Sequence, residues 1–170
     1  MFEVTGAEIQ QLDDRQLRTL VARLAAAELL SSGQPISGVT AGGDQNAPDG
    51  GLDVRVELPA AGFSGDFVPR ATTGYQVKKP DMGPAAIAAE MKLKGILRPV
   101  IGELADASGS YIIVSSSGSV ADKPLKDRRK AIRAAVQGHT SAAKLHVDFY
   151  DRDRLARWVK QYQASITGPN

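Results

Sequence analysis

Two short stretches of alternating sequence carry the residues best suited to chemistry in this chain. They are residues 50–57 (GGLDVRVE) and residues 74–79 (GYQVKK), and each alternates apolar with polar side chains as a β-strand does. If the two strands pair antiparallel with their apolar faces on a common core, then Asp53, Gln76 and Lys78 share the opposite face. A carboxylate, an amide oxygen and an ammonium together form a small polar site with a metal-compatible side and a cationic side.

The interpretation that fits these residue types is a metal-dependent phosphodiesterase site. A phosphodiester is anionic and resists attack by hydroxide, so a hard cation and a fixed ammonium both assist its hydrolysis. The alternative for Asp53 and Lys78 is a plain cross-strand ion pair of small energetic value. That alternative leaves Gln76 and the glycines before Asp53 unexplained.

A further carboxylate is expected near the end of the first long helix. Residues 13–30 begin with two acidic residues and carry apolar side chains at the i, i+3, i+4, i+7 spacing of an amphipathic helix. At about 100° per residue, Glu28 falls within that apolar stripe, where a carboxylate needs a partner. Two interpretations stay open: the last turn is at the surface and Glu28 is solvated, or Glu28 points into the Asp53 site.

Basic side chains cluster at two places outside the alternating strands. Gly95 and Pro99 are expected to break the helical pattern of residues 83–107, and a basic helix is predicted over residues 124–137. A solvated basic face is one interpretation of these clusters, and a rim that contacts DNA phosphates is the other. The predicted phosphate-binding residues are Lys79, Lys92, Lys94, Arg98, Arg128, Arg129 and Lys130.

The remaining pattern predicts one α/β domain. Residues 35–41 form a weak strand candidate, residues 110–116 and 144–150 read as strands, and residues 151–166 form a final helix. The strand–helix–strand alternation of the second half favours parallel neighbours with right-handed crossovers. With no repeat or linker, residues 1–170 are predicted to form a mixed sheet flanked by helices, in the order α-β-β-β-α-β-α-β-α.

Composition narrows the classes of function. The chain has 170 residues, 42% of them hydrophobic and 24% charged, as in an ordinary globular protein. It contains no cysteine, which excludes thiolate metal sites and cysteine nucleophiles and suits the reducing cytoplasm where we expect the protein. The formal net charge of +2 is compatible with nucleic acid. No apolar run approaches the ~20 residues of a membrane helix, so no membrane partner is expected.

The order of elements, together with Asp53 and the Gln76-x-Lys78 strand, resembles the PD-(D/E)xK nuclease superfamily. Within it, the chain is most similar to the Mrr-type restriction endonucleases, in which Gln often takes the middle acidic position. The particular likenesses are the glycine-rich approach GGLD at residues 50–53 and the strand YQVK at residues 75–78. The resemblance implies a restriction-endonuclease-like core.

The resemblance also implies roles for individual residues. Asp53 would be a metal ligand, Gln76 a second ligand or ligand orienter, and Lys78 the residue near the attacking water. The backbone carbonyl of Val77 would add a further oxygen to the metal. Glu28 matches the first-helix glutamate of many members and would join the site as a catalytic and metal-ligating residue.

The implied activity is that of a Mg²⁺-dependent DNA endonuclease of restriction or antiviral-defence type, with Mn²⁺ able to substitute. Double-stranded DNA would be the substrate, and a homodimer or higher oligomer is expected because cutting two strands generally needs two sites. Related domains often begin larger proteins, including antiviral STAND NTPases with sensor repeats, so the chain is expected to be an excised effector domain. Gln76 in place of an acid keeps a second hypothesis open: a catalytically silent nuclease-like module that binds DNA or a partner protein.

Overall fold

The computed structural model describes residues 5–42, 51–118 and 120–166, with side chains as far as residue 163. The long second helix begins with a capping box, in which the Asp13 carboxylate accepts from the Gln16 amide and the Gln16 side chain accepts from the Asp13 amide. No helix of the described ranges is long and apolar enough to cross a membrane. The helices are α1 Gly6–Gln10, α2 Asp14–Ser31, α3 Pro84–Met91, α4 Pro99–Asp106, α5 Asp122–Val136 and α6 Arg152–Ile166.

The strands form one mixed sheet and one separate hairpin. They are β1 Val39–Ala41, β2 Val54–Glu57, β3 Thr72–Lys78, β4 Lys92–Leu93, β5 Ile96–Leu97, β6 Ser110–Ser115 and β7 His146–Tyr150. The sheet has the order β1-β2-β3-β6-β7; its first three strands are antiparallel neighbours, and β3, β6 and β7 run parallel. The mixed sheet and the parallel second half are therefore confirmed.

The sheet separates two hydrophobic cores. Helices α2 and α6 cover one face, where Trp158 stacks on Phe67 with ring centroids 5.3 Å apart and also contacts Tyr75. Helices α3, α4 and α5 cover the other face, over Tyr111 and Phe149. Each large apolar side chain buried in this way contributes about 1.5–3 kcal/mol. Both cores together fix the helices against the sheet that carries the predicted site residues.

The predicted break in residues 83–107 is confirmed, but it is more than a kink. Helix α3 ends before a two-stranded hairpin, and α4 starts at Pro99, whose fixed φ suits a first helical position. Lys94 and Gly95 form the turn of the hairpin with φ angles of 54° and 77°. Positive φ at both central residues is the requirement of a two-residue type I′ turn.

Leu52 departs from the predicted alternation. The pattern places Leu52 on the same side as Val54, yet Leu52 packs in the core beneath α4 while Val54 packs beneath α2. Regular pairing begins only at Val54, because the Asp53 amide donates to the Tyr75 carbonyl in an offset bond. Gly74 makes room for Leu52, since a Cβ at residue 74 would lie 2.8 Å from that side chain.

Candidate functional site

A polar cleft of about 540 Å³ opens at the carboxyl end of β3 and brings three of the predicted site residues together with Asp53. Among the described residues, the cleft combines three acidic and three basic side chains with one amide, so these charges balance. Its lining residues are Asp14, Arg18, Gly42, Gly51, Leu52, Asp53, Gln76, Val77, Lys78, Glu90 and Arg98.

Asp53 and Gln76 form the centre of this cleft. The Gln76 Nε2 group donates to Asp53 Oδ2 at 3.0 Å, and the Val77 backbone amide donates to the same oxygen at 2.7 Å. An ionised carboxylate only accepts, so the Gln76 nitrogen faces Asp53 and its carbonyl oxygen remains for another ligand. Because both bonds end on Oδ2, Oδ1 remains available to a ligand as far as the described residues are concerned.

The backbone around Asp53 fixes where its carboxylate points. Its amide donates to the Tyr75 carbonyl at 3.0 Å, and its carbonyl accepts from the Gly42 amide at 2.8 Å. Gly51 has a φ of +99°, and a Cβ there would lie 3.4 Å from the Arg98 guanidinium. The contact is an ordinary one, so it is the positive φ that disfavours a residue with a side chain here. The neighbouring Gly50 of the predicted glycine-rich approach lies outside the described residues.

Burial makes Asp53 easier to protonate than an exposed aspartate. Removal from water raises the pKa of its carboxyl group, and the Glu90 carboxylate raises that pKa further. The Val77 amide, then Lys78 and Arg18, act in the opposite direction without cancelling the effect of burial. A cation bound at Asp53 would therefore strengthen its ionisation.

Lys78 is held by an acid on the neighbouring helix. Its Nζ lies 3.3 Å from Oε1 of Glu90 in α3, and both side chains are partly exposed. Within the described ranges, no ion pair joins Lys78 to Asp53, so the plain cross-strand pair is not formed. The ammonium instead stands in the cleft beside Asp53 with its position restrained from the α3 side.

Sequence reasoning missed three charged residues of the cleft: Asp14, Arg18 and Glu90. Asp14 accepts the Lys79 amide at 3.0 Å, which ties the start of α2 to the end of β3. Arg18 follows Asp14 by one helical turn, and this i, i+4 pair of polar residues is the signal that could have identified both. Glu90 directly precedes the buried Met91. Its position at the edge of the buried face of α3 could therefore also have been predicted.

Both interpretations of Glu28 are wrong. The side chain is only 1% exposed, and its Oε2 accepts the backbone amides of Val68 at 2.6 Å and Phe67 at 3.1 Å. Asp14, at the other end of α2, lines the cleft, and a rise of about 1.5 Å per residue puts about 21 Å of helix between it and Glu28. Burial raises the pKa of Glu28, and the two amides oppose that shift. Glu28 therefore anchors the loop before β3 and is no part of the Asp53 cleft.

One of the predicted phosphate-binding residues lines the cleft, and three others belong to segments that adjoin its lining residues in sequence. Arg98 lines it, and its Nε donates to the Glu90 carbonyl at 2.7 Å. Lys79 directly follows β3, while Lys92 and Lys94 belong to the β4–β5 hairpin. These positions are compatible with a basic rim at the mouth of the cleft.

The basic helix α5 contributes less to such a rim than predicted. Arg128 is only 9% exposed and pairs with Asp81 at 3.1 Å, so its predicted outward position is wrong. Arg129 pairs through Nε with Asp148 at 2.7 Å, while 40% of its side chain stays exposed, so this residue is only partly engaged within the fold. Lys130 is exposed as expected. Arg128 and Arg129 thus tie α5 to the loop after β3 and to β7.

The donor set of the cleft fits a hard, water-carrying cation. It offers one carboxylate oxygen of Asp53 and one amide oxygen of Gln76, and no group of three His, Cys, Asp or Glu side chains able to hold a metal occurs within the described part of the chain. Mg²⁺ keeps several waters and commonly takes only one or two carboxylates, whereas structural zinc takes four protein ligands. The residues present therefore suit Mg²⁺ bound with water and substrate oxygens.

Comparison of the chain with models of protein families, with curated proteins and with solved structures found no match. The functional assignment therefore depends on the geometry of the Asp53 cleft.

Proposed function

We propose that this chain is a Mg²⁺-dependent phosphodiesterase domain that cleaves DNA. The observation that carries the proposal is the bonded pair of Asp53 and Gln76, which leaves one oxygen of each side chain for a cation, with Lys78 in the same cleft. The balanced charge of the described cleft residues supports it too. An anion that binds without a metal ion would require an excess of basic side chains.

Each group then has a distinct task. Asp53, Gln76 and the Val77 carbonyl would hold Mg²⁺, which when bound neutralises phosphate charge and lowers the pKa of a bound water. Lys78, restrained by Glu90, would orient the attacking water and stabilise charge on the phosphoryl oxygens. A guanidinium fits two phosphate oxygens at once, so Arg18 and Arg98 on the cleft wall would position the substrate.

The proposal extends to the biological setting that the sequence suggested. A mixed sheet with a carboxylate before β2 and Gln-x-Lys at the end of β3 is the arrangement expected of an Mrr-like PD-(D/E)xK nuclease. We accordingly place the activity in restriction or antiviral defence, with a second protomer cutting the second strand. In a full-length protein, C-terminal NTPase and sensor domains would bring the protomers together.

Plasmid cleavage tests the site directly. The protein is incubated with plasmid DNA and Mg²⁺ or Mn²⁺, and Asp53→Ala and Lys78→Ala are compared with Asp153→Ala and Lys126→Ala, which remove the same residue types at exposed positions of α6 and α5. We expect cleavage only in the wild type and the two controls. Cleavage that survives both cleft substitutions would refute the assignment.

The catalytically silent module remains the second candidate, and one observation favours it. Gln76 is neutral, so of the bonded pair only Asp53 brings negative charge to a cation, which disfavours metal binding. Calorimetric titration with Mg²⁺ and Mn²⁺ separates the candidates, because only the enzyme should take up metal in a manner that depends on Asp53. Gln76→Glu should raise that uptake in the enzyme and leave a binding-only module without any.

A further inference from the structure

The β4–β5 hairpin presents an apolar surface to solvent. Leu93 is 57% exposed and Ile96 73% exposed. The two residues are directly paired across the hairpin, so their side chains share one face. Lys92 and Leu97 form the neighbouring pair, and Leu97 packs against the core beneath α4 and α5. The hairpin is therefore seated through one face and exposes two aliphatic side chains on the other.

The hairpin is closed by a tight turn and a bonded base, and it is cationic. Its turn is the two-residue Lys94–Gly95 type, and the Arg98 amide closes its base with a 3.0 Å bond to the Met91 carbonyl. Residues 92–98 (KLKGILR) carry three basic side chains and no acidic one. Ile96 also lines a neighbouring pocket that includes the acidic Glu103 and Asp106. Within the hairpin itself, an apolar pair with basic neighbours complements a ligand with an apolar interior and anionic edges.

The hairpin rises from the wall of the Asp53 cleft. Glu90, two residues before β4, and Arg98, directly after β5, both line that cleft. The 2.7 Å bond from Arg98 Nε to the Glu90 carbonyl joins the two ends of the hairpin segment. The base of the hairpin therefore borders the cleft, and Leu93 and Ile96 lie further along the same segment, outside the cleft lining.

We propose that the hairpin acts as a wedge on DNA. Leu93 and Ile96 insert between stacked bases, beside the phosphate that is bound in the cleft. This inference rests on the proposed function and names how its substrate is recognised. Apolar side chains inserted at a base step unstack it at a cost of a few kcal/mol per step, and added backbone contacts offset that cost. Lys92 and Lys94 supply those contacts to the flanking phosphates. DNA that is already unstacked, at a mismatch or an abasic position, is therefore the preferred substrate.

The test is a binding experiment without metal, so that cleavage plays no part. A short duplex carrying 2-aminopurine at one step is titrated with the protein in EDTA, and fluorescence is read at saturation. We expect a rise of severalfold for the wild type and none for Leu93→Ser/Ile96→Ser. The matched control is Leu30→Ser/Ile36→Ser, which removes the other two large exposed apolar residues of the described ranges, at 65% and 53% exposure. Because all four side chains are exposed, each variant should fold normally.

Affinity supplies the second readout. The wild type should bind a duplex with an abasic position about tenfold or more tightly than the matched duplex, since the unstacking cost of a few kcal/mol is already met. The hairpin variant should lose that preference. If the hairpin variant gave the same fluorescence rise and the same preference for the abasic duplex as the wild type, the wedge would be overturned.

Other results would overturn the wedge in favour of another partner. If the hairpin variant changed only the sedimentation of the protein, the surface would belong to a second copy of the chain. If it changed only binding to anionic lipid vesicles, the surface would belong to a membrane. Cleavage is scored separately with Mg²⁺, so a wild type that distorts DNA but never cuts it would refute the nuclease and support the wedge.

Discussion

Replacing Asp53 with asparagine should separate the fold of the cleft from its chemistry. An asparagine whose carbonyl oxygen takes the place of Oδ2 still accepts from Gln76 Nε2 and from the Val77 amide. In the wild type these two bonds measure 3.0 and 2.7 Å. Its NH₂ group then occupies the position of Oδ1. The variant therefore keeps both internal bonds and presents a donor where the wild type presents an acceptor to the cleft.

The expected change in stability follows from two opposing effects. Losing the charge weakens two hydrogen bonds from the charge-assisted range of about 1.5–3 kcal/mol to the neutral range of about 0.5–1.5 kcal/mol. Against this, the neutral amide escapes the cost of burying a charge, the effect that raises the pKa of Asp53. We expect a net change within about 1 kcal/mol, which is a shift in Tm of roughly 2–4 °C for a chain of this size.

The pH dependence has a definite sign. Because the folded-state pKa of Asp53 lies above its ordinary value of 3.8, this group stabilises the fold fully below that value and less as pH rises through the folded-state pKa. Asp53→Asn removes this dependence, so the variant should gain stability relative to the wild type between about pH 4 and about pH 7. Urea unfolding at both pH values measures the difference.

Activity should respond far more strongly than stability. Substitution of residues that merely orient metal ligands lowers activity or affinity by about 10–100-fold, so loss of a direct ligand should exceed about 100-fold. Plasmid cleavage measures this, with Asp153→Asn on exposed α6 as the control. An Asp53→Asn variant that folds normally and retains more than a tenth of the wild-type rate would refute the ligand role of Asp53.

Three further predictions concern the surroundings of the cleft. Glu28→Ala leaves two buried loop amides without their acceptor and should destabilise the fold by about 2–6 kcal/mol in urea titrations, whereas Glu28→Gln retains one acceptor oxygen and should be much milder. Glu90→Gln should slow cleavage by at most about fivefold, with unchanged metal uptake in calorimetry, because a partly exposed ion pair to Lys78 is worth about 0.2–1 kcal/mol. Arg128→Ala should lower the melting temperature without changing the salt dependence of DNA binding. Lys130→Ala should instead reduce that salt dependence and leave the melting temperature unchanged.

The elements that could be predicted were those whose pattern is local. Residues 13–30 and 110–116 agree with α2 and β6 to within one residue at each end, since amphipathic periodicity and an unbroken apolar run are visible without knowing the neighbours. The pairing of β2 with β3 was also predictable, because it is the arrangement that brings Asp53, Gln76 and Lys78 to one face.

The features that were missed depend on contacts between distant segments. The helical stripe correctly placed Glu28 on the buried side of α2, but only the path of residues 66–68 shows that two backbone amides satisfy it. Likewise, nothing in the basic run of α5 shows that Asp81 and the Phe149 ring lie against Arg128. The sequence predicts only a helix break at the hairpin, because four paired residues are too few to show strand alternation.

Glutamine at residue 76 suits a cleft that must hold its shape without metal. Asp53 is already hard to ionise because it is half-buried and near Glu90. A glutamate at residue 76 would put a second carboxylate against Oδ2, and two such acids at hydrogen-bonding distance oppose each other's ionisation. The Gln76 NH₂ group instead donates to Asp53 and holds its carboxylate in place. The Gln76 side chain that orders the metal-free cleft also carries one negative charge fewer than a glutamate would. Residue 76 therefore orders the cleft at the expense of metal affinity.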